Sequence, residues 1–234
     1  GRVGYNIAQI QLRRRVLGRR FHQRRRNDPM QLFVTYSSPY ARIARVVRRE
    51  KRLEDRVEEL TALTRTVNSP YYQINPSGRV PYLLFHSGVG IEGSQSVCYV
   101  LDHLDGAPLL DAPVGAAGIE HRRLEEYARS LLDGVSVWVR ELRRPAEDRS
   151  ATIIEHERQR VYRLADFWRG EIDHPLMQGG LNIPQITLAC ALLVDEWYPG
   201  LRWRDGRPGL AAWADAYAAR RSFFETRPRE TLEA

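Results

Sequence analysis

Residues 31–52 read QLFVTYSSPYARIARVVRREKR, and this stretch decides which fold class the chain adopts. Its first six residues are mainly β-branched and aromatic, which is typical of a short strand. Ser37-Ser38-Pro39 then supplies an N-cap followed by a proline in the first helical turn. Apolar side chains recur after it at helical spacing, at Ile43, Val46 and Val47. The arginines between them are expected to face solvent: Arg42, Arg45 and Arg48. A strand followed at once by a helix predicts the start of an α/β domain.

The sequence continues in the same α/β style. Further short strands are predicted at 57–63, 80–85 and 89–92, the last two joined by a hairpin turn. Residues 68–78 are rich in Pro, Ser and Asn and are predicted to be irregular, with a single helical turn. Ser94 is placed to cap the helix that follows. Residues 30–105 are therefore predicted to form one domain.

The second half of the chain has a purely helical pattern. Residues 106–117 contain Ala, Pro and Gly with little periodicity and are the candidate linker. Across residues 118–234, apolar side chains recur at spacings of three and four without strand-like alternation. Asn182 and Gln185 fit a capping box at the start of one of these helices. The predicted architecture is an α/β domain followed by an all-α domain.

The positive charge of the chain lies in one segment. Residues 1–29 hold nine arginines and one acid, a charge of +8, so the remaining residues carry −1 of the net +7. Such an arm could bind nucleic acid, could target an organelle, or could be an extension outside the folded protein. We expect a disordered or non-native extension, because a strand pattern begins directly after it. Nucleic acid is therefore not an expected partner.

Other patterns exclude further protein classes. No run approaches the roughly 18 apolar residues that cross a bilayer, so no membrane-spanning helix is predicted. Cys98 and Cys190 lie far apart, which is typical of buried thiols in a reducing compartment, and a cytoplasmic location is expected. The six histidines show no spacing that suggests a metal site. Residues 88–93 match the dinucleotide-binding pattern G-x-G-x-x-G. A dinucleotide-binding fold needs a parallel strand after the next helix, and the candidate linker stands there instead, so a dinucleotide site is not expected.

Five short motifs occur along the chain in a fixed order. They are YSSPYAR at 36–42, NPSGRVP at 75–81, GSQSV at 93–97, ITLACA at 186–191 and PGLAAW at 208–213. Each is weak alone, but their order and spacing resemble cytosolic glutathione S-transferases, particularly the bacterial ones. The resemblance spans residues 31–228. It implies the glutathione S-transferase fold, a thioredoxin-like domain followed by a helical bundle domain.

The resemblance also implies a function. The chain would be a glutathione transferase that conjugates the glutathione thiolate to a small, largely apolar electrophile, in detoxification. Glutathione would be a co-substrate with no further cofactor, and the family is usually homodimeric. Relatives with isomerase, dehalogenase or peroxidase chemistry share these motifs. A non-catalytic binding protein that keeps the fold is the alternative.

The reaction requires a thiolate, and a free thiol with a pKa near 8.5 is only about 3% ionised at pH 7. One charge-assisted hydrogen bond could lower that pKa by about one to two pH units. By its match to the residue before the family's proline, Ser38 is expected to supply the hydroxyl. Ser37 is the alternative donor and Tyr36 a third, and either serine could instead be a simple N-cap. A serine here also argues against thiol–disulfide exchange, which needs a protein thiol.

The loop at 75–81 would bind glutathione rather than react with it. It contributes Arg79, Val80 and Pro81. A cis-proline at 81 would leave the amide and carbonyl of Val80 to pair with the cysteinyl backbone of glutathione, as in strand addition.

The γ-glutamyl end of glutathione would bind at the next helix. Ser94, at the helix N-terminus, would hold its carboxylate. The γ-glutamyl ammonium needs a carboxylate partner, yet Gly93 occupies the position that is acidic in the family. Either Glu92, which precedes it, or an acid of a partner subunit would substitute.

Overall fold

A four-stranded sheet forms the centre of the N-terminal half. The structure is a computed structural model that describes residues 29–229. The prediction for the basic N-terminal segment concerns residues that lie outside this range. The strands are β1 (Met30–Val34), β2 (Val57–Thr61), β3 (Tyr82–Leu84) and β4 (Gly90–Glu92). Their order across the sheet is β2-β1-β3-β4. β1 pairs parallel with β2 and antiparallel with β3, and β3 pairs antiparallel with β4. This mixed topology is thioredoxin-like.

Two helices connect these strands, α1 (Pro39–Glu50) and α2 (Tyr71–Ile74), and a third, α3 (Ser94–His103), follows β4. α1 is the crossover between the parallel strands β1 and β2, which cannot be joined by a tight hairpin. The single turn α2 lies in the segment predicted to be irregular, which confirms that prediction. β1 ends before the predicted residue 36, because a turn begins at Thr35, whose carbonyl accepts from the Ser38 amide at 3.2 Å.

The expectation that the α1 arginines face solvent is wrong. Arg42, Arg45 and Arg48 are all buried. α1 packs against other elements of both halves of the chain, and none of its residues is exposed. Arg45 donates to the Thr226 carbonyl at 3.0 Å, and Arg48 donates to the Val57 carbonyl at 2.6 Å. Both guanidiniums also pair with the Glu59 carboxylate, at 3.0 and 3.2 Å.

The C-terminal half is entirely helical within the described residues. It comprises α4 (Ala117–Leu142), α5 (Ala151–Glu171), α6 (Pro175–Gln178), α7 (Ile183–Leu192), α8 (Pro208–Ala218) and α9 (Arg221–Glu225), with 3-10 turns at Ala146–Asp148, Leu193–Glu196 and Pro199–Leu201. Every residue of α7 is buried, so α7 is the central helix of this half. The predicted combination of an α/β and an all-α part is confirmed.

The start of α7 confirms the predicted capping box. The Asn182 side-chain oxygen accepts from the Gln185 amide at 3.0 Å, and the Gln185 side-chain oxygen accepts from the Asn182 amide at 2.9 Å. These reciprocal bonds satisfy two amides that the helix itself leaves unpaired.

A buried carboxylate ties the end of α3 to the chain that leads into α4. Asp102 is 0% exposed and accepts from the Leu110 and Asp111 amides at 2.9 Å each, and from the Leu109 amide at 3.1 Å. The Lys51 ammonium, just beyond α1, lies 3.3 Å from the same carboxylate. This junction therefore joins α1, α3 and the segment before α4.

None of the helices in residues 29–229 is both long enough and apolar enough to cross a membrane.

Replacing Asp102 with alanine should lower the free energy of unfolding by about 3–5 kcal/mol, because three amides and the Lys51 ammonium lose their partner in the interior. Urea denaturation measures the loss. The matched control is Asp105→Ala, which removes an exposed carboxylate that also pairs with Lys51 and should cost clearly less. Equal losses in the two variants would contradict the role given to the buried carboxylate.

Candidate active site

A cleft of about 1050 Å³ lies between the two halves of the chain and is lined by both. It brings together most of the residues singled out in the sequence: Ser37, Ser38, Arg79, Val80, Glu92, Gly93 and Ser94. These residues come from three separate parts of the chain, namely the start of α1, the loop before β3 and the start of α3. Pro81 is buried beside Val80 and does not itself line the cleft.

The hydroxyl of Ser38 caps α1. Its oxygen accepts from the Ala41 amide at 3.2 Å, and its backbone is extended, as an N-cap requires. Capping uses a lone pair of the oxygen, so the hydroxyl hydrogen remains able to donate. The same side chain can therefore cap the helix and donate into the cleft. Ser37 also lines the cleft, so both predicted serines lie at the site.

Tyr36, named as a third donor and as a glutathione contact, is not among the described residues that line the cleft. Its ring instead packs under the guanidiniums of Arg45 and Arg229, at 4.7 and 4.1 Å from the ring centre. The ring is therefore engaged by two arginines outside the cleft lining.

The loop before β3 is fixed by the side chain of Asn75. The Val80–Pro81 peptide bond is cis. The Asn75 amide group donates to the Arg79 carbonyl at 3.0 Å, and the Tyr71 hydroxyl donates to the same carbonyl at 2.6 Å. These bonds place Val80 at the cleft wall in a defined backbone conformation.

Asn75 also holds the carboxylate of Glu92. Its amide group donates to Glu92 at 3.1 Å, and the Ser77 hydroxyl donates to the same carboxylate. The Ser77 hydrogen bond, followed by that of Asn75 and the charge of Arg79, lowers the pKa of Glu92 below its ordinary value. Glu92 is therefore an ionised carboxylate on the cleft wall, at a fixed position.

Ser94 does not cap α3, contrary to the prediction. It is the first residue of the helix, and the N-cap is Gly93, whose φ of +88° is a conformation that residues with a side chain rarely adopt. The Ser94 hydroxyl is buried and accepts from Arg129 of α4 at 2.9 Å. Arg129 is in turn paired with Glu125 at 2.5 Å.

The face of α4 that lines the cleft was not singled out in the sequence. It presents Arg129, Asp133, Ser136, Val139 and Arg140, and the C-cap residue Arg143 continues the same face. The polar members recur at spacings of four, three, four and three, which places them on one helical face. This period was the available signal, but the apolar residues of the same helix gave the stronger pattern.

Tyr40 and Asp133 connect the two walls of the cleft. The Tyr40 hydroxyl, two residues after Ser38, donates to the Asp133 carboxylate. Burial, together with this bond, raises the pKa of Tyr40 to about 12. Tyr40 is therefore a neutral donor near pH 7, and α1 is held to α4 directly above the serine turn.

A cysteine, Cys190 of α7, also lines the cleft. Both cysteines are buried and free, as predicted. Burial raises the pKa of Cys190 to about 12. The thiol is therefore protonated at neutral pH and is not a ready nucleophile.

Comparison with known proteins bears on the fold and on the family resemblance. Residues 37–104 match the family model described as glutathione S-transferase, N-terminal domain. The chain is similar to a solved glutathione S-transferase from Methylobacillus flagellatus KT with GSH bound, with 29% identity over 86% of this chain and 100% of that one, at a TM-score of 0.75.

Two structures from Pseudomonas fluorescens Pf-5 are also similar. One is a glutathione transferase family member with bound glutathione, with 28% identity over 86% of this chain and 99% of that one, at a TM-score of 0.77. The other holds bound S-(propanoic acid)-glutathione, with 26% identity over 88% of this chain and 99% of that one, at a TM-score of 0.73. No protein with a curated description matches the chain. The resemblance to bacterial-type glutathione S-transferases is confirmed by the family model and these structures.

Cys190 should resist alkylation by iodoacetamide at about pH 8 in the native protein, because a thiol with so high a pKa has almost no thiolate there. Intact-mass spectrometry measures the modification. The same protein in concentrated urea is the control, and both of its cysteines should then react. Native labelling at the rate of a free thiol would contradict the assignment.

Proposed function

We propose that this chain, which has the glutathione S-transferase fold, is a glutathione transferase that conjugates the glutathione thiolate to a small electrophile. The observation that carries the proposal is the convergence on one cleft of the Ser38 hydroxyl, the Val80 backbone and the N-terminus of α3. The solved relatives with bound glutathione support it.

The γ-glutamyl carboxylate binds at the start of α3. The amides of the first turn of this ten-residue helix point toward the cleft end and favour an anion. Arg129 lies there as well; its charge is paired with Glu125, but its buried Nε has no hydrogen-bond partner among the described residues. Ser94 can donate its hydroxyl hydrogen while its oxygen accepts from Arg129. This end of the cleft therefore has the donors that a carboxylate needs.

The γ-glutamyl ammonium pairs with Glu92. The carboxylate of this residue is ionised, lines the cleft next to Gly93 and is held by two hydrogen bonds. A fixed carboxylate loses little side-chain entropy when it binds an ammonium. Glu92 thus takes the role of the acidic residue that the family has one position later.

Ser38 stabilises the thiolate. The sulfur of a glutathione paired with the Val80 backbone would lie toward the start of α1, where the hydroxyl and the helix dipole both favour a negative charge. The thiol proton leaves to solvent, and the sulfur then attacks the electrophilic carbon. A carbon–sulfur bond forms while the leaving group departs with its electron pair.

The expected location, oligomeric state and domain boundaries are part of the same proposal. We infer a cytoplasmic homodimer that acts in detoxification, with residues 30–105 and 118–234 as its two domains and 106–117 as the linker. The resemblance to the family supports these features.

A non-catalytic glutathione-binding protein is the second candidate, favoured by glycine at the acidic position, Gly93. The two candidates differ in turnover rather than in binding. Thiol–disulfide exchange is disfavoured, because the thiol that lines the cleft, Cys190, is protonated at neutral pH.

Glutathione should bind to the protein in titration calorimetry, and Glu92→Gln should weaken this binding about tenfold, because the ammonium loses its charged partner. Glu58→Gln is the matched control, since Glu58 is exposed on β2 and outside the cleft. Unchanged affinity in Glu92→Gln would place the ammonium partner elsewhere, on a partner subunit. No binding at millimolar glutathione would contradict the proposed function.

Ser38→Gly should raise the pKa of the bound glutathione thiol by about one to two pH units, because the thiolate loses its hydrogen bond. Glycine is chosen because it costs a helix cap only a few tenths of a kcal/mol. The ultraviolet absorbance of the thiolate against pH measures the effect. Ser150→Gly, which removes the cap of α5 far from the cleft, is the matched control. A rise in Ser37→Gly alone would assign the role to Ser37.

A further inference from the structure

We propose that the electrophile carries a carboxylate group, which Arg42, Arg140 and Arg143 bind at the end of the cleft away from the γ-glutamyl site. The proposal rests on the proposed glutathione transferase function and names the substrate class of that site.

The first support is a buried arginine with unsatisfied donors. The Arg42 side chain is only 2% exposed and lines the cleft. One terminal nitrogen donates to the Phe223 carbonyl at 3.1 Å and lies 3.6 Å from the Glu196 carboxylate. The Nε and the other terminal nitrogen have no partner among the described residues. Leaving such donors unpaired in the interior is costly, so a ligand oxygen that accepts from them is favoured.

The second support is the charge on the cleft face of α4. Arg140 and Arg143 both line the cleft, and Arg140 donates a hydrogen bond to the Ser136 carbonyl at 3.1 Å. Within residues 29–229, no carboxylate lies within ion-pair distance of either guanidinium. The acid on this face, Asp133, already accepts from Tyr40. A hydroxyl carries no charge, so the Asp133 carboxylate offsets one of the two guanidiniums, and a net positive charge of one remains on this face.

The position of these arginines separates them from glutathione. Arg129 marks the γ-glutamyl end, and Arg140 lies 11 residues further along α4, about 16 Å along the helix axis. Arg143 lies about 21 Å along it. A tripeptide anchored at Ser94 spans only about 11 Å when extended. The charges of Arg140 and Arg143 are therefore available to the second substrate.

The rest of the subsite is apolar. Val139 of α4 lines the cleft together with Val194, Trp197 and Tyr198. This wall can bury the body of an electrophile, while the arginines pair with one anionic group at its edge. An aromatic carboxylic acid with a leaving group on the ring has both features. It remains a largely apolar electrophile, as expected from the sequence, with one added charge.

The alternative reading is that Arg42 only clamps α9 through the Phe223 carbonyl and that Arg140 and Arg143 are ordinary surface charges. In that case the cleft would not distinguish a carboxylate from a neutral group of the same shape. The two readings therefore differ in one measurable ratio.

The test compares a chloronitrobenzoate, with chlorine ortho to the nitro group and para to the carboxylate, with its carboxamide. In each case glutathione sulfur displaces chloride. Binding of the two chemically prepared glutathione conjugates is measured by calorimetry, and turnover is measured relative to the spontaneous reaction. We expect the carboxylate conjugate to bind at least about tenfold more tightly than the carboxamide, with the preference falling as salt is raised.

Variants assign the preference to the arginines. Arg143→Gln should lower the carboxylate-to-carboxamide affinity ratio about threefold and Arg42→Gln about tenfold, because the buried group is less screened. Arg144→Gln is the matched control, since Arg144 neighbours Arg143 but pairs with Glu141 and lies outside the cleft lining. Circular dichroism and glutathione affinity report whether Arg42→Gln remains folded. Arg143→Gln tests the preference for the carboxylate in a variant whose folding is not at risk.

The outcomes separate the two proposals. A ratio near one in the unmodified protein overturns the carboxylate assignment, whatever the turnover. An equal fall in Arg144→Gln overturns the assignment to α4. A clear preference in binding without turnover of either compound supports the ligand class and overturns the transferase function.

Discussion

The carboxylate of Asp102 is the interaction on which the geometry of the cleft depends. It is fully buried at the end of α3, where it binds three successive amides and the Lys51 ammonium. The other end of α3 carries Ser94, which Arg129 holds against α4. α3 is thus fixed at both ends. Its C-terminal end is bound to the segment that leads into α4, and its N-terminal end is bound to α4. Together with the Tyr40–Asp133 bond, these contacts hold the two walls of the cleft to each other.

Local signals in the sequence predict most of the elements. The capping box at Asn182 and the serine–proline start of α1 depend on residues within one turn, so their physics is contained in the sequence read there. The burial of Arg42, Arg45 and Arg48 could not be predicted in this way. An arginine on an amphipathic helix usually faces water, and here contacts distant in sequence reverse this: β2 receives Arg45 and Arg48, and the C-terminal half receives Arg42 and Arg45.

The candidate site, like the fold, was predicted where the signal lay within a short motif and missed where it depended on distant contacts. Residues within contiguous motifs, such as Val80 and Ser38, lie at the cleft as expected. The role of Ser94 as a cap failed because Gly93 adopts a conformation that begins the helix one residue earlier. The cationic face of α4 could not be selected, since periodicity shows that residues share a face but not which cavity that face borders.

The ammonium in the Asp102 junction has a consequence for chemical modification. Lys51 is the single lysine among 35 arginines, and its side chain is 5% exposed. Residues 29–229 therefore offer acylating reagents no accessible side-chain amine. Acetylation or ester-based labelling of Lys51 requires its ammonium to leave Asp102, Asp105 and the Ala107 carbonyl, so the rate of amine labelling reports how often this junction opens.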